Sequence, residues 1–308
     1  MKALVTGSAG FIGSNLVRRL AARGDEVVGI DRLRTRGTAG LHVTMDLAER
    51  TNLAEIARWT AWADVVFHLA ARPGIRSNSP RIDLRRHRDI IVATEHVMAV
   101  TPGSTHVILA SSSSVYGEAA RRNNSYRPSH ETDRPRPVSR YGRYKHRMEQ
   151  LGRQYRRFGD GLAIARPFTV IGEGQRSDMA MSIWIDAARR GEPVTVFGSL
   201  DRARDVTDVD RVVDGLVAIA DRRHCGFVNL GPGRPRTLGE MVEAVFHATG
   251  LETPIRVVPA SPEEVRATCA DPARALRDLG VDLTTDLLQA TRRQVAARHG
   301  IPLGAASP

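Results

Sequence analysis

Residues 6–13 read Thr6-Gly7-Ser8-Ala9-Gly10-Phe11-Ile12-Gly13, and they join a short apolar run, Lys2 to Thr6, to a helical pattern from Phe11 to Ala22. We predict a buried strand before this segment and a helix after it. Glycines at such a junction let the backbone approach a pyrophosphate, whose negative charge is favoured at the helix N-terminus. The spacing Gly-x-x-Gly-x-x-Gly therefore predicts a dinucleotide-binding turn. A tight turn into a closely packed helix is the alternative interpretation.

Short apolar runs continue to alternate with helical patterns along the first half of the chain. The predicted strands are Glu26 to Ile30, Val65 to Leu69, His106 to Ala110 and Leu162 to Ala165. The main predicted helices among them are Arg85 to Ala99 and Tyr141 to Arg157. This alternation predicts an α/β fold with a Rossmann-type doubly wound parallel sheet that is covered on both faces.

The alternation becomes less regular after Arg166-Pro167, where longer loops join the helical patterns. These later helices are predicted at Ser182 to Arg190, Val209 to Ala220 and Leu238 to Thr249. We interpret residues 1–167 as one domain and residues 168–308 as mainly a smaller α/β lobe that covers one end of the sheet. Some segments of the second part are expected to return to the first domain.

Asp31 ends the second predicted strand, where a carboxylate can accept hydrogen bonds from both ribose hydroxyls of a dinucleotide. The same carboxylate repels a 2′-phosphate, which favours NAD over NADP. Three arginines follow Asp31 and keep NADP open as an alternative. They are Arg32, Arg34 and Arg36. Asp46, just before Leu47, either hydrogen-bonds the adenine edge or forms the N-cap of the next helix.

A lysine is conspicuous later in the chain, because Lys2 and Lys145 are the only lysines among 45 basic residues. Lys145 lies four residues after Tyr141, so the two side chains share one face of the predicted helix. An ammonium beside a phenol favours the phenolate, and we expect it to lower the pKa of Tyr141 from its ordinary value of about 10. The pair predicts a base that works near neutral pH. A surface helix with an unrelated lysine is the alternative.

The composition argues against several other classes of protein. The formal net charge is +11, but the arginines are scattered over many predicted helices without an aromatic-interleaved basic motif, so we expect no nucleic-acid partner. No apolar run approaches about 18 residues, and the N-terminus lacks the pattern of a secretory signal. Cys225 and Cys269 are isolated, which argues against a metal site and fits a reducing compartment. We therefore expect a cytoplasmic protein that does not bind membranes.

Several motifs in order along the chain carry a resemblance to a known family. Besides the glycine turn and Asp31, they are His68-Leu69-Ala70-Ala71, Ser111-Ser112-Ser113-Ser114-Val115-Tyr116-Gly117 and Tyr141-Gly142-Arg143-Tyr144-Lys145. The chain resembles the extended short-chain dehydrogenase/reductases, and more narrowly the NAD-dependent nucleotide-sugar epimerases and dehydratases. The resemblance implies that Tyr141 is the catalytic base, that Lys145 also holds the nicotinamide ribose, and that Ser112 assists. A polar strand end that satisfies loop backbone groups is the alternative interpretation of the serines.

The resemblance also implies the cofactor, NAD, and the residues that contact it. The implied cofactor contacts are Gly7, Gly10, Phe11, Ile12, Gly13, Asp31, Arg32, Asp46, Leu47, Leu69, Ala70, Ala71, Tyr141 and Lys145. One position departs from the family pattern, because Ile90 stands where these relatives usually have an asparagine near the cofactor. No metal is implied.

The second half of the chain looks like the UDP-glucuronate 4-epimerases. The matching segments are Arg166 to Gly172, Gln175 to Ala180, Arg204 to Asp210 and, earlier, Gly74-Ile75-Arg76. The likeness implies a nucleotide-sugar-binding lobe with substrate contacts from Arg76, Ser113, Ser114, Thr169, Arg176, Met179 and Arg204. Guanidinium groups suit phosphate oxygens, so Arg176 and Arg204 are candidates for binding the diphosphate. A surface ion pair is the alternative for each.

The residue types at Ser113 and Ser114 distinguish the reactions that members of this family catalyse. Related decarboxylases have Glu at the position of Ser114, and 4,6-dehydratases have Asp-Glu at Ser113 and Ser114. Hydroxyls can hold a sugar carboxylate but cannot act as an acid/base pair. We therefore expect NAD-dependent 4-epimerisation of UDP-glucuronate to UDP-galacturonate through a 4-keto intermediate, by a homodimer. The alternatives are a 4-epimerase of UDP-glucose or another NDP-hexose, an NDP-4-keto-sugar reductase, a UDP-glucuronate decarboxylase and a non-catalytic dinucleotide sensor.

Overall fold

The computed structural model describes residues 1–34, 40–74, 79–122, 125–156 and 158–299. The α-helices are α1 (Phe11–Ala22), α2 (Leu53–Trp62), α3 (Pro80–Arg86), α4 (Ala93–Val100), α5 (Arg140–Tyr155), α6 (Ala180–Arg189), α7 (Val209–Asp221), α8 (Leu238–Thr249) and α9 (Leu287–His299). The β-strands are β1 (Lys2–Thr6), β2 (Glu26–Asp31), β3 (Leu41–Thr44), β4 (Val65–His68), β5 (His106–Ala110), β6 (Arg121–Arg122), β7 (Ser125–Tyr126), β8 (Leu162–Pro167), β9 (Thr169–Ile171), β10 (Val194–Phe197), β11 (Ala203–Asp208), β12 (Gly226–Leu230), β13 (Pro235–Thr237) and β14 (Ile255–Val258).

Seven strands form one sheet in the order β12-β8-β5-β4-β1-β2-β3, and every neighbouring pair is parallel. The predicted doubly wound α/β fold is confirmed. The five strands predicted from apolar runs are β1, β2, β4, β5 and β8. The apolar pattern does not indicate β3, which is half-exposed at the sheet edge, or β12, which carries Asn229 in its interior.

Helices cover both faces of this sheet. Helices α1 and α7 pack on one face, where Leu16 and Leu216 are fully buried. Helices α2, α4 and α5 pack on the other face, with Val97 and Met148 in the core. Because the chain crosses from strand to strand through these helices, the carboxyl ends of the strands share one edge, where loop side chains converge.

One predicted helix is interrupted. In place of a continuous helix from Arg85 to Ala99, α3 and α4 are joined by a π-helical turn over His87–Val92. This turn buries Asp89, Ile90 and Ile91 in succession, which a regular helix of 3.6 residues per turn does not do. The carboxylate of Asp89 therefore points into the protein beside the loops that follow β2 and β4.

The remaining elements form a smaller group at one end of the sheet. Strands β13, β11 and β9 form one small sheet and β10 pairs with β14, while α6, α8 and α9 enclose a separate core that includes Trp184, Val242 and Val295. Strand β12 and helix α7 return to the main sheet. None of the helices in the described part of the chain is long and apolar enough to cross a membrane.

Candidate active site

The turn after β1 depends on close backbone approach at Gly7. Gly7 has a φ of +70°, and a Cβ atom there would lie 2.8 Å from the backbone nitrogen of Ala70. Glycine is required because it alone combines this dihedral angle with this contact. The amide of Leu69 donates to the carbonyl oxygen of Thr6 at 3.2 Å, which fixes the loop after β4 against the turn. The predicted cofactor residues around Gly7 and Leu69–Ala71 are therefore adjacent.

The start of α1 suits an anion. Gly10 is the N-cap, no side chain caps the helix, and Ile12 and Gly13 lie in its first turn. The positive end of the helix dipole therefore lies at this edge without a side-chain acceptor. Asp31 lies next to it, where Oδ2 accepts a hydrogen bond from the amide of Ala9 at 3.0 Å. A bare backbone turn, an uncapped helix N-terminus and a strand-end carboxylate fit the pyrophosphate and ribose of a dinucleotide.

The charged residues around this edge are already paired with one another. Arg32 forms a two-pronged ion pair with Asp89, at 3.0 Å and 3.1 Å. Asp46 accepts a hydrogen bond from the amide of Ala48 and pairs with Arg88 at 2.8 Å. Because Glu49 is the N-cap of the short helix Arg50–Asn52 and Asn52 is the N-cap of α2, the alternative interpretation of Asp46 as the N-cap of the next helix is wrong. Arg34 is exposed, Leu47 is buried in the core, and Arg36 lies outside the described residues.

Helix α5 brings Tyr141 to the serine-rich turn that follows β5. Its N-cap is Ser139, whose hydroxyl accepts a hydrogen bond from the amide of Gly142 at 3.0 Å. A Cβ atom on Gly142 would lie 2.4 Å from the carbonyl oxygen of Ser114, so glycine lets the helix touch this turn. As a result, Tyr141 lies close enough to Ser112 for the serine hydroxyl to lower the pKa of the phenol. The predicted catalytic pair is thus assembled by the close contact at Gly142.

The electrostatics of Tyr141 differ from the prediction. Burial raises the pKa of Tyr141 to about 12, against the opposing effects of the Ser112 hydroxyl and of the positive charges of Arg176 and Arg86. The ammonium of Lys145 is not among the groups that lower the pKa of Tyr141. Its Nζ donates to the carbonyl oxygen of Ala110 at 2.6 Å. The prediction that Lys145 lowers the pKa of Tyr141 is therefore wrong for this geometry. Arg86, on α3, is a nearby cation that the sequence pattern did not single out.

Lys145 is buried, with 3% of its surface exposed. Burial lowers its pKa to about 8, and the negative charge of Glu149, one turn further along α5, limits the fall. Glu149 is itself buried and forms a bidentate pair with Arg166 of β8, at 2.8 Å and 2.7 Å. Ser111 donates a third hydrogen bond to Glu149 at 2.6 Å. The spacing of Lys145 and Glu149 on α5 is a signal that sequence reasoning did not use.

His68 is a second buried group to which the sequence pattern gave no role. Its Nδ1 lies 2.8 Å from the hydroxyl of Thr6, and its Nε2 lies 3.0 Å from that of Thr94. Burial and the charge of Lys145 lower the pKa of His68 to about 3, so the ring is neutral. A neutral ring can donate to one hydroxyl and accept from the other. His68 therefore ties β1 to α4 directly below the cofactor edge.

The predicted substrate residues are only partly brought together. Ser113 and Ser114 lie in a helical turn of three residues after β5, and the hydroxyl of Ser114 accepts a hydrogen bond from Ser112 at 3.2 Å. The charge of Arg176 reaches Tyr141, although its guanidinium is paired with Asp178. Of the other predicted contacts, three lie after β8 in the chain and one lies outside the described residues. Thr169 begins β9, Met179 is the N-cap of α6, Arg204 donates to the carbonyl oxygens of Ala203 and Arg266, and Arg76 lies outside the described residues.

The two lysines of the chain allow a direct test of the environment of Lys145. In protein labelled with ¹³C and ¹⁵N on lysine, two side-chain signals are expected, and a Lys2→Arg variant assigns them. We predict that the Lys145 signal titrates near pH 8, because burial destabilises the ammonium. The ammonium is then the main form below pH 8 and is lost above it. Titration near the ordinary lysine pKa of about 10.4 would contradict the described burial.

A charge-removing variant tests the role of Glu149 in the same experiment. Glu149→Gln should move the titration of Lys145 to lower pH, since the anion that favours the ammonium is gone. Ser111→Ala is the matched control, because it removes a hydrogen bond from the same carboxylate and leaves every charge in place. Equal titration of Lys145 in the two variants would show that Glu149 does not support its charge. Thermal unfolding monitored by circular dichroism checks that both variants fold.

Comparison with known proteins identifies the family of the chain. Residues 3–231 match the model of the NAD dependent epimerase/dehydratase family. A probable UDP-glucuronate 4-epimerase of Rhizobium meliloti (strain 1021) is 30% identical, over 88% of this chain and 89% of that protein.

Solved structures are similar along nearly the whole chain. The structure of MoeE5 in complex with UDP-glucuronic acid and NAD superposes with a TM-score of 0.88 and 34% identity, over 98% of this chain and 100% of that chain. UDP-glucuronic acid 4-epimerase from Bacillus cereus, in complex with UDP-glucuronic acid and NAD, gives a TM-score of 0.87 and 27% identity, over 96% of this chain and 98% of that chain. With a family match over residues 3–231 and a relative 30% identical over most of both chains, the chain belongs to the NAD-dependent epimerase/dehydratase family.

Proposed function

We propose that the protein interconverts UDP-glucuronate and UDP-galacturonate by NAD-dependent 4-epimerisation. The observation that carries the proposal is the close contact of α5 with the serine turn after β5, which places Tyr141 beside Ser112, with Lys145 one helical turn away. Support for the substrate comes from relatives named as UDP-glucuronate 4-epimerases and from neighbours that bind UDP-glucuronic acid.

The roles of the residues follow from their chemistry. Tyr141 takes the proton of the sugar 4-hydroxyl, and the nearby charges of Arg176 and Arg86 favour the phenolate that must form first. Ser112 donates a hydrogen bond to the sugar oxygen as it becomes a carbonyl. NAD, when bound, supplies the chemistry that removes a hydride from C4 and returns it. Lys145 holds the nicotinamide ribose, and Asp31 the adenosine ribose.

Epimerisation fits the serine turn better than the competing reactions do. A 4-keto glucuronate is a β-keto acid, and it stays intact only if its carboxylate is held in place. Ser113 and Ser114 offer hydroxyls for this purpose and no carboxylate that could assist elimination. The buried carboxylate nearest Lys145 on α5, that of Glu149, is committed to Arg166 and Ser111. Thr169, Met179, Arg76, Arg176 and Arg204 are proposed as the remaining substrate contacts.

The proposal extends to the organisation of the protein. Residues 1–167 form the NAD-binding domain with the catalytic groups, and residues 168–308 form mainly the nucleotide-sugar-binding lobe. The protein is proposed to be a cytoplasmic homodimer, and its unpaired Cys225 and Cys269 suit a reducing compartment. Sedimentation equilibrium should give twice the chain mass of 33.7 kDa, and a mass of one chain across the concentration range would refute the dimer.

The role of Tyr141 is tested by removing one oxygen. Tyr141→Phe should lower kcat by about 100-fold or more, because a positioned general base contributes that much. Its cofactor content, measured by mass spectrometry of heat-released dinucleotide, should stay unchanged. Tyr144→Phe is the matched control, since Tyr144 lies on the same helix and its hydroxyl contacts only the carbonyl oxygen of Asp83 among the described hydrogen bonds. Near-normal turnover of Tyr141→Phe would show that another group is the base.

The reaction itself is tested by chromatography of a UDP-glucuronate incubation with NAD. UDP-galacturonate should be the only new nucleotide sugar, and the Ser113→Ala/Ser114→Ala double variant should form it more slowly, with some loss of CO₂. A UDP-pentose as the main product of the unmodified protein would identify a decarboxylase. Turnover of UDP-glucose without turnover of UDP-glucuronate would move the substrate to a neutral hexose.

A further inference from the structure

A cluster of charged residues lies where the loops after β2 and β4 meet the π-helical turn, and it plays no part in the reaction described above. Its centre is the carboxylate of Asp89, which is 5% exposed. Arg32, from the loop after β2, and Arg72, from the loop after β4, both donate to this carboxylate. We call these three residues the Asp89 clamp.

We propose that Asp89 is a specificity-determining residue, which selects NAD by holding the guanidinium of Arg32 away from the position of an adenosine 2′-phosphate. This inference rests on the proposed placement of the adenosine ribose at Asp31. Arg32 directly follows Asp31, so it lies at the same strand end as the carboxylate that would bind the ribose hydroxyls.

The geometry of the clamp explains why Arg32 is not free to bind phosphate. Nη1 of Arg32 lies 3.0 Å from Oδ1 of Asp89, and Nη2 lies 3.1 Å from Oδ2. Both prongs of the guanidinium are therefore used, in the arrangement by which arginine also binds phosphate. Nε of Arg72 donates to Oδ2 at 2.8 Å and holds the carboxylate in place. A 2′-phosphate would have to displace a buried, hydrogen-bonded carboxylate from Arg32.

The surroundings of the clamp disfavour a second phosphate as well. Asp46 lies 3.8 Å from Nη1 of Arg32, and Arg88 links Asp46, Glu49 and Asp89 into one network. Within this network the carboxylates of Asp89, Asp46 and Glu49 are matched by the guanidinium groups of Arg32, Arg72 and Arg88, and Asp31 adds a further negative charge beside it. A dianionic 2′-phosphate would therefore be repelled by these carboxylates. Arg32, the cation best placed to bind it, is already paired with Asp89.

The π-helical turn is what brings Asp89 to this position. The turn buries Asp89 and Ile90 together, and Ile90 is the position that departs from the asparagine usual in the family. The hydroxyl of Thr94 donates to the carbonyl oxygen of Ile90 at 2.5 Å, which satisfies a backbone group in the turn. The chain thus places a charged carboxylate beside an apolar residue on the inner face of this turn.

The test is titration of the cofactor-stripped protein with NAD and with NADP, each measured by calorimetry. The unmodified protein should bind NAD at least tenfold more tightly than NADP. Asp89→Asn should tighten NADP binding at least tenfold and change NAD binding less than threefold, because Arg32 is released. The gain should disappear in Asp89→Asn/Arg32→Ala, and it should shrink as salt is raised.

Glu49→Gln is the matched control for net charge. It removes one anion from the same network, as Asp89→Asn does, but Glu49 contacts Arg88 and leaves the bond between Arg32 and Asp89 in place. If Glu49→Gln improves NADP binding as much as Asp89→Asn does, the effect is one of overall charge and the proposal is wrong. Unchanged NADP binding in a folded Asp89→Asn protein would also overturn it.

A third variant keeps the proposal testable if Asp89→Asn fails to fold. The side chain of Arg32 is 42% exposed, so Arg32→Ala should be tolerated. If the clamp already occupies Arg32, this variant changes NADP affinity less than threefold, whereas a tenfold loss would show that Arg32 reaches the phosphate and would refute the proposal. Failure of the unmodified protein to bind either dinucleotide would instead contradict the proposed cofactor site.

Discussion

The buried ion pair between Glu149 and Arg166 holds the catalytic helix in position. It joins α5 to β8 with two hydrogen bonds between side chains that are 2% and 1% exposed. Arg166 also donates to the hydroxyl of Tyr116 at 2.8 Å, and Tyr116 donates to Asn229 of β12 at 2.7 Å. Removing one partner of such a pair costs about 3–5 kcal/mol, because it leaves an unpaired buried charge. Helix α5, and with it Lys145, is thus fixed relative to β8 and β12.

This attachment explains how the site can hold groups with unusual proton affinities. A buried lysine and a partly buried tyrosine both favour their neutral forms, and the structure counters this with Glu149 near Lys145 and with Ser112, Arg176 and Arg86 near Tyr141. The two groups are influenced by different neighbours, so they are not a simple coupled pair. The pKa of Lys145 is therefore adjusted by Glu149 of the same helix, and that of Tyr141 by residues of other elements.

The sequence predicted much of this arrangement, and the physical reasons for its failures are clear. Buried parallel strands are continuous apolar runs, and the glycines from Gly7 to Gly13 mark a close backbone approach, so the fold was readable from the sequence. The partners of Lys145 and Arg32 were not, because Ala110 and Asp89 lie far from them in the chain. A π-helical turn also has no periodic apolar pattern of its own, so the sequence did not indicate that Asp89 points inward. Long-range contacts and helix irregularities therefore decided what was missed.

The most direct test of the account is ¹H NMR of UDP-glucuronate turnover in D₂O. If Tyr141 moves only the hydroxyl proton and the C4 hydrogen leaves and returns inside the site, UDP-galacturonate should form with ordinary hydrogen retained at C4 and C5. Deuterium at C4 would mean that this hydrogen exchanges with solvent, and deuterium at C5 would mean that a carbon-bound proton is abstracted. Either result would contradict the proposed 4-epimerisation.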